Sequence, residues 1–181
     1  MSRRRFLPTD AFVDESIRGR RYLMGCVLVE AKRLPDVRGA VQQLALDGNR
    51  IHFHNESKRR RQLILGAFVE LPLKVDIVVC QRSHGVSEFD ARNACLKSIV
   101  ERLQADEVPR LTLESRDDDS DDVRTISRVR SASPSLVFEH RSGEQDPLLW
   151  VADGLTWAAG AGNHWREIIG ALLREERQTG P

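Results

Sequence analysis

Short runs of strand-forming residues alternate with segments of helical periodicity along most of this chain, and this order is the strongest constraint on its fold. Apolar runs at 11–13 and 22–29 flank a turn at 17–20 and predict a β-hairpin. Further strands are predicted at 51–54, 73–81, 109–113 and 136–140. Helices are predicted at 35–45, 63–69, 91–103, 146–160 and 165–176, and a polar helix is predicted from the acidic segment after Glu114 to Arg130. Such an order predicts an α/β domain of three layers, in which helices flank a mixed central sheet of about five strands.

Two of these helices carry further signals. Ser87 and Asp90 have the spacing of a capping box, which predicts that a long amphipathic helix starts there. The helix at 146–160 is apolar on nearly all sides and is therefore predicted to be mostly buried. Its two tryptophans, Trp150 and Trp157, are expected to belong to the core.

Length and composition restrict the class of protein. The chain has 181 residues and a net charge of +1, which predicts one domain over 1–181 and no overall field that attracts a nucleic acid or a membrane. Within it, 1–9 is predicted to be a flexible N-terminal arm and 116–122 a mobile acidic loop. The three cysteines lie in apolar stretches and are odd in number, which favours reduced thiols and a cytoplasmic location. No apolar run approaches the roughly 18–20 residues of a membrane-spanning helix, so no membrane partner is expected.

Two adjacent acidic residues, Asp14 and Glu15, interrupt the first apolar strand. Because side chains alternate along a strand, the two point to opposite faces, and one of them is expected to face a covered layer. A carboxylate there must be paired, hydrogen-bonded or bound to a metal. The structural alternative is an exposed edge strand or an ion pair with Arg20 or Arg21.

Two more carboxylates occupy positions where chemistry is expected. Glu114 closes the strand at 111–113, and ligands in open α/β sheets bind outside the carboxyl ends of strands. Asp153 lies in the middle of the apolar helix, where a carboxylate needs a metal or a positively charged partner. The structural alternative for Asp153 is an ion pair with one arginine, such as Arg92.

His52, His54 and Glu56 alternate along the predicted strand at 51–54 and would share one face, lining a polar pocket or binding a metal. Two histidines at this spacing lack the rest of a zinc framework. Carboxylates without thiols are better suited to Mg²⁺ or Mn²⁺ than to Zn²⁺.

Basic residues cluster at 3–5, at 18–21 and at 58–61. The last cluster, which contains Lys58, Arg59, Arg60 and Arg61, is a candidate for holding nucleic-acid phosphates, although such a cluster is usually a solvated helix face. The chain has neither the G-x-x-x-x-G-K-[ST] nor the G-x-G-x-x-G phosphate-binding motif, and it has no G-x-S-x-G nucleophile elbow.

Four segments together resemble a known family: 12–16, with an Asp-Glu-Ser motif, 51–53, 111–114, and 149–155, with an Ala-Asp motif. Over roughly residues 10–165, the chain resembles the uncharacterised domain-of-unknown-function family number thirty-eight hundred, whose members look like ribonuclease H-type folds. Glu114 stands where that family more often has an aspartate. His52 matches a family histidine.

The resemblance implies a carboxylate cluster of Asp14, Glu114 and Asp153 that binds one or two Mg²⁺ or Mn²⁺ ions and hydrolyses phosphodiester bonds, with His52 as a further catalytic residue. The substrate class would be RNA, DNA or a hybrid. The alternative is a non-catalytic module on the same fold that binds nucleic acid or protein and uses these acids as structural pairs. A homo-oligomer or an accessory partner protein stays open.

Overall fold

A computed structural model of the chain describes residues 6–46 and 48–181. It confirms the α/β class and the mixed sheet between flanking helices, with six strands where about five are predicted. The strands are β1 (Asp10–Arg18), β2 (Arg21–Val29), β3 (Leu73–Gln81), β4 (Arg110–Glu114), β5 (Val137–Arg141) and β6 (Leu173–Thr179). The α-helices are α1 (Leu34–Gln42), α2 (Lys58–Val69), α3 (Glu88–Ala105), α4 (Ser120–Val129), α5 (Pro147–Gly160) and α6 (Asn163–Ile168).

The strand order across the sheet is β5-β4-β1-β2-β3-β6. Strands β1, β2 and β3 form an antiparallel meander, while β4 runs parallel to β1 and β5 parallel to β4. Strand β6 is added in parallel to β3 at the far edge. This topology is compatible with a three-layer ribonuclease H-like fold.

Two hydrophobic cores lie on the two faces of the sheet, because successive strand residues alternate between them. Phe12 belongs to the core beneath α1, α2 and α5, whereas Ala11 and Val13 belong to the core beneath α3 and α4. The expectation that Trp150 and Trp157 are buried is confirmed, since they are 5% and 8% exposed. The predicted capping box of Ser87 and Asp90 is also confirmed at the start of α3.

The prediction of a final helix over 165–176 is wrong. Helix α6 ends at Ile168, and the chain continues as β6 beside β3. The mixture of arginines and glutamates at 174–177 resembles a polar helix in sequence, but Arg174 forms a two-pronged ion pair with the buried Asp76 of β3. This ion pair helps to fix the added edge strand.

Three other predictions concern loops. The strand predicted at 51–54 is wrong, since Phe53–Asn55 is one turn of 3-10 helix and the alternation of His52, His54 and Glu56 does not place them on a strand face. Of the acidic loop predicted at 116–122, Ser120 begins α4 and Asp122 is buried. Of the predicted N-terminal arm at 1–9, residues 1–5 lie outside the described residues, and Thr9 donates its backbone N–H to Val29 at 3.0 Å. Within the described residues, none of the helices has both the length and the apolar character needed to cross a membrane.

Candidate carboxylate site

Asp14 and Glu114 lie side by side at the junction of two parallel strands. The register pairs Val13 of β1 with Leu113 of β4, and each acidic residue is the next one along its strand. Val13 and Leu113 both point into the core beneath α3 and α4, so alternation directs Asp14 and Glu114 to the face covered by α5. Asp153 of α5 is the third member of this group, and we call Asp14, Glu114 and Asp153 the inner carboxylate cluster.

Electrostatics link the three acids. Burial, then the charges of Glu114 and Asp153, and more weakly that of Glu15, raise the pKa of Asp14 well above its ordinary value. The Asp14 carboxylate accepts one hydrogen bond, from the backbone N–H of Glu15 at 2.7 Å. This bond lowers the pKa of Asp14, but it does not outweigh burial and the surrounding negative charge.

Asp153 has a similar environment. Burial is the largest influence and raises its pKa, while a hydrogen bond from the backbone N–H of Phe53 at 3.1 Å opposes this. The charge of Glu114 raises the pKa further, and Arg50 and His52 lower it. His52 is therefore close enough to act on the inner carboxylate cluster, although its side chain is exposed.

Arg50 is the residue of this site that the sequence did not indicate. Its guanidinium forms an ion pair with Glu114, and both side chains are largely covered, with exposed fractions of 16% and 18%. A Cβ atom at Gly143 would overlap this guanidinium, so the glycine leaves the room that Arg50 needs to reach Glu114. Arg50 stands in an irregular segment with no motif around it, and spacing alone could not have found it.

The pairing of Asp153 with Arg92, considered as the structural alternative, is wrong. Arg92 of α3 lies on the other side of the sheet and binds Asp122 of α4 through two hydrogen bonds of 2.8 and 2.6 Å. It also forms an ion pair with Glu15. The ion pair with Arg20 or Arg21 considered for the acids of β1 is wrong, since Glu15 pairs with Arg92 and Arg116 instead.

A second acidic group lies on this opposite face. Asp119, Asp122 and His140 are the residues whose ligand atoms all lie within 4.8 Å of one another, and such a group could hold a metal ion. That criterion singles out no other group in the described ranges, 6–46 and 48–181. The second group is already bonded, however: Asp122 binds Arg92, and its oxygen lies 3.2 Å from Nε2 of His140.

The remaining predicted residues, Lys58 to Arg61, form the first turn of α2, where Ser57 is the N-cap. Lys58 and Arg59 are exposed, while Arg61 donates to the backbone oxygens of Phe53 and His54. Cations are unfavourable at a helix N-terminus because of the macrodipole, so helix stability does not explain this basic turn.

No family model matches this chain, and no curated protein matches it either. The placement of Asp14, Glu114 and Asp153 is therefore the firmest ground for a functional conclusion. It brings three partly buried carboxylates to the place where two parallel strands and a helix meet, with their oxygens farther apart than the 4.8 Å found in the second acidic group.

Proposed function

We propose that this protein is a metal-dependent nuclease that hydrolyses nucleic-acid phosphodiester bonds, with Asp14, Glu114 and Asp153 as ligands for one or two Mg²⁺ or Mn²⁺ ions. The observation that carries the proposal is the convergence of three carboxylates from β1, β4 and α5, in which burial and mutual repulsion raise the pKa of Asp14. Buried like charges are costly unless a cation offsets them. The resemblance to ribonuclease H-type proteins points to the same residues.

The ion pairs help to decide between the metal site and the alternative of a non-catalytic binding module. Structural acids are expected to have one arginine partner each. Glu114 has Arg50, but Asp14 and Asp153 accept backbone N–H groups and make no ion pair with any residue in the described part of the chain. Two of the three carboxylates thus lack the partner that a purely structural role would supply, which favours a cation.

The protein groups would share the work as follows. A bound Mg²⁺ or Mn²⁺ would lower the pKa of a water molecule and stabilise charge on the scissile phosphate. The backbone N–H groups of Glu15 and Phe53 orient the Asp14 and Asp153 carboxylates. Arg50 orients Glu114, and His52, whose charge acts on Asp153, is the candidate for a further catalytic role beside the cluster.

The binding experiment is calorimetric titration of the metal-free protein with Mn²⁺ and with Mg²⁺, comparing the wild type with Asp153→Asn. We expect binding to the wild type and its loss in the variant. Asp36→Asn is the matched control, because Asp36 is 75% exposed and lies on α1. Asp122→Asn tests the second acidic group, and it should bind the metal as the wild type does.

The activity experiment measures cleavage of labelled RNA, DNA and hybrid strands with Mn²⁺ or Mg²⁺. We expect Asp14→Asn and Asp153→Asn to reduce metal-dependent cleavage by about a hundredfold or more, since each removes a group that positions the cation. Full cleavage by Asp14→Asn would refute the assignment. If neither metal binds, with or without nucleic acid, the binding-module alternative takes its place.

A further inference from the structure

A second feature of the α5 face has no role in the carboxylate chemistry: two arginines lie over Trp157, and a third contacts the end of α5. The Arg18 guanidinium lies 4.9 Å from the centre of the Trp157 ring, and that of Arg61 lies 4.4 Å from it. Arg21 donates to the backbone oxygen of Gly160 at 2.9 Å, one helical turn further along α5. We call Arg18, Arg21 and Arg61 the arginine cluster.

The positive charge of this cluster is not neutralised. No carboxylate forms an ion pair with any of the three arginines in the portion of the chain that the structure describes. Burial, followed by the charges of Arg61 and Arg21, lowers the pKa of Arg18. Elsewhere on the molecule, partly buried arginines such as Arg50 and Arg174 are paired with acids. Arg18 and Arg61 are also partly buried and have no acid partner among the described residues, so their charge is available to an anion.

Hydrogen-bond donors within the cluster are also unused. The Nε and Nη2 atoms of Arg18 and the Nε1 atom of Trp157 are buried and have no hydrogen-bond partner. Buried donors are nearly always satisfied, and an orphaned one indicates a missing ligand or water molecule. Arg18 is held in this position, because a Cβ at Gly160 would lie 3.1 Å from its Cγ and the glycine lets its stem pack against α5.

The cluster is close to the inner carboxylate cluster. Trp157 is one turn beyond Asp153 on α5, about 6 Å along the helix axis. Arg18 is four residues beyond Asp14 on β1 and on the same face of the sheet, about 13 Å away. One strand of a nucleic acid advances about 3.4 Å per nucleotide, so these spans correspond to roughly two to four nucleotides.

We propose that Arg18, Arg61 and the indole N–H of Trp157 form a binding site for a backbone phosphate of the nucleic-acid substrate, two to four nucleotides from the scissile bond. The inference rests on the proposed function for the identity of the ligand. A guanidinium matches a phosphate in shape and charge, and contacts of this kind fix the position of a strand without reading its sequence.

The test is fluorescence anisotropy of a labelled strand of about 12 nucleotides, offered as DNA, as RNA and as a hybrid duplex, in EDTA so that nothing is cleaved. We expect Arg18→Gln to weaken binding of the preferred form about tenfold. The variant should also reduce the salt dependence of log K by about 0.7 for a single strand, the value for one lost phosphate contact. Arg128→Gln is the matched control, because Arg128 is exposed on α4, on the other side of the sheet. This variant should bind the strand as tightly as the wild type does.

A second variant guards against misfolding. Trp157→Phe keeps an aromatic ring for the arginines but removes the unpartnered N–H, so it should also weaken binding. The smaller ring leaves space in the core, so a lower urea-unfolding midpoint is expected, but the transition should stay cooperative and show that the variant is folded. Wild-type affinity in Arg18→Gln, an equal loss in Arg128→Gln, or no binding of any form by the wild type would each overturn the phosphate site. Arg18-dependent binding without metal-dependent cleavage would refute the nuclease proposal and leave the phosphate site standing.

Discussion

The buried ion pair between Arg92 and Asp122 allows a quantitative test of the second acidic group. Asp122 is 2% exposed, its two oxygens accept hydrogen bonds from Arg92, and Oδ2 also lies 3.2 Å from Nε2 of His140. Burial opposes ionisation, but the hydrogen bonds and charges of Arg92 and His140 prevail and lower the pKa of Asp122 from 3.8 to about 2. The substitution Asp122→Asn keeps the shape of the side chain and removes this charge.

The magnitude follows from proton linkage. A carboxyl whose pKa is lower in the folded state stabilises the fold above its unfolded pKa, and this contribution is lost as the pH falls through the folded pKa. At about 1.4 kcal/mol per pKa unit, the shift of Asp122 is worth about 2–3 kcal/mol near neutral pH. About half of that remains at a pH near 3.

The assay is urea unfolding of the wild type and Asp122→Asn at several pH values between 7 and 3, without metal and then with excess Mn²⁺. We expect a loss of about 2 kcal/mol near neutral pH that shrinks as the pH falls. Asp121→Asn is the control, since Asp121 is one residue away on α4 and pairs with the exposed Arg124; it should cost less than about 0.5 kcal/mol.

Two results would refute the reasoning. A pH-independent difference between the wild type and Asp122→Asn would show that ionisation of Asp122 does not contribute to stability. Stabilisation of the wild type by Mn²⁺ that disappears in Asp122→Asn but persists in Asp153→Asn would move the metal to Asp119, Asp122 and His140. We expect the opposite: stabilisation by Mn²⁺ that persists in Asp122→Asn and disappears in Asp153→Asn.

Three further predictions concern the folded core and the inner carboxylate cluster. Gly25→Ala should destabilise the protein by about 1–3 kcal/mol in urea unfolding, because the new Cβ would overlap the Thr156 hydroxyl. Arg174→Met should cost about 3 kcal/mol or more, since it leaves Asp76 buried without a partner, and hydrogen exchange should show β6 opening first. Because the pKa of Asp14 is raised, its ionisation opposes folding: the metal-free wild type should lose stability relative to Asp14→Asn as the pH rises above about 4, and Mn²⁺ should reverse this loss.

The parts of the fold that the sequence predicted correctly are those where one physical signal dominates. The capping box of Ser87 and Asp90 marked the start of α3, and the near absence of polar residues marked α5 as buried. Strand β6 was missed because its stability comes from pairing with β3 and from the distant Asp76, and neither is visible in the local pattern at 173–179.

The same distinction applies to the site. Asp14 and Asp153 stood out as carboxylates in apolar segments, and alternation correctly predicted that Asp14 and Glu15 point to opposite faces. The Arg50–Glu114 pair joins residues 64 positions apart, and the Arg92–Asp122 pair joins residues 30 apart. Partners at such separations are chosen by the folded backbone, so residue spacing could suggest that a partner exists but not which arginine it is.

The adjacency of Asp14 and Glu15 makes β1 a shared boundary between two separate charge systems. A deletion of one residue before this pair would exchange their faces: Glu15 would replace Asp14 among the acids near α5, Asp14 would take the place of Val13 in the core beneath α3 and α4, and Arg92 would lose its acid on β1. Both systems would fail together. Single-residue insertions and deletions in β1 are therefore expected to be far less tolerated than substitutions at either residue alone, and changes of loop length are expected to accumulate at the turn after Arg18 rather than within the strand.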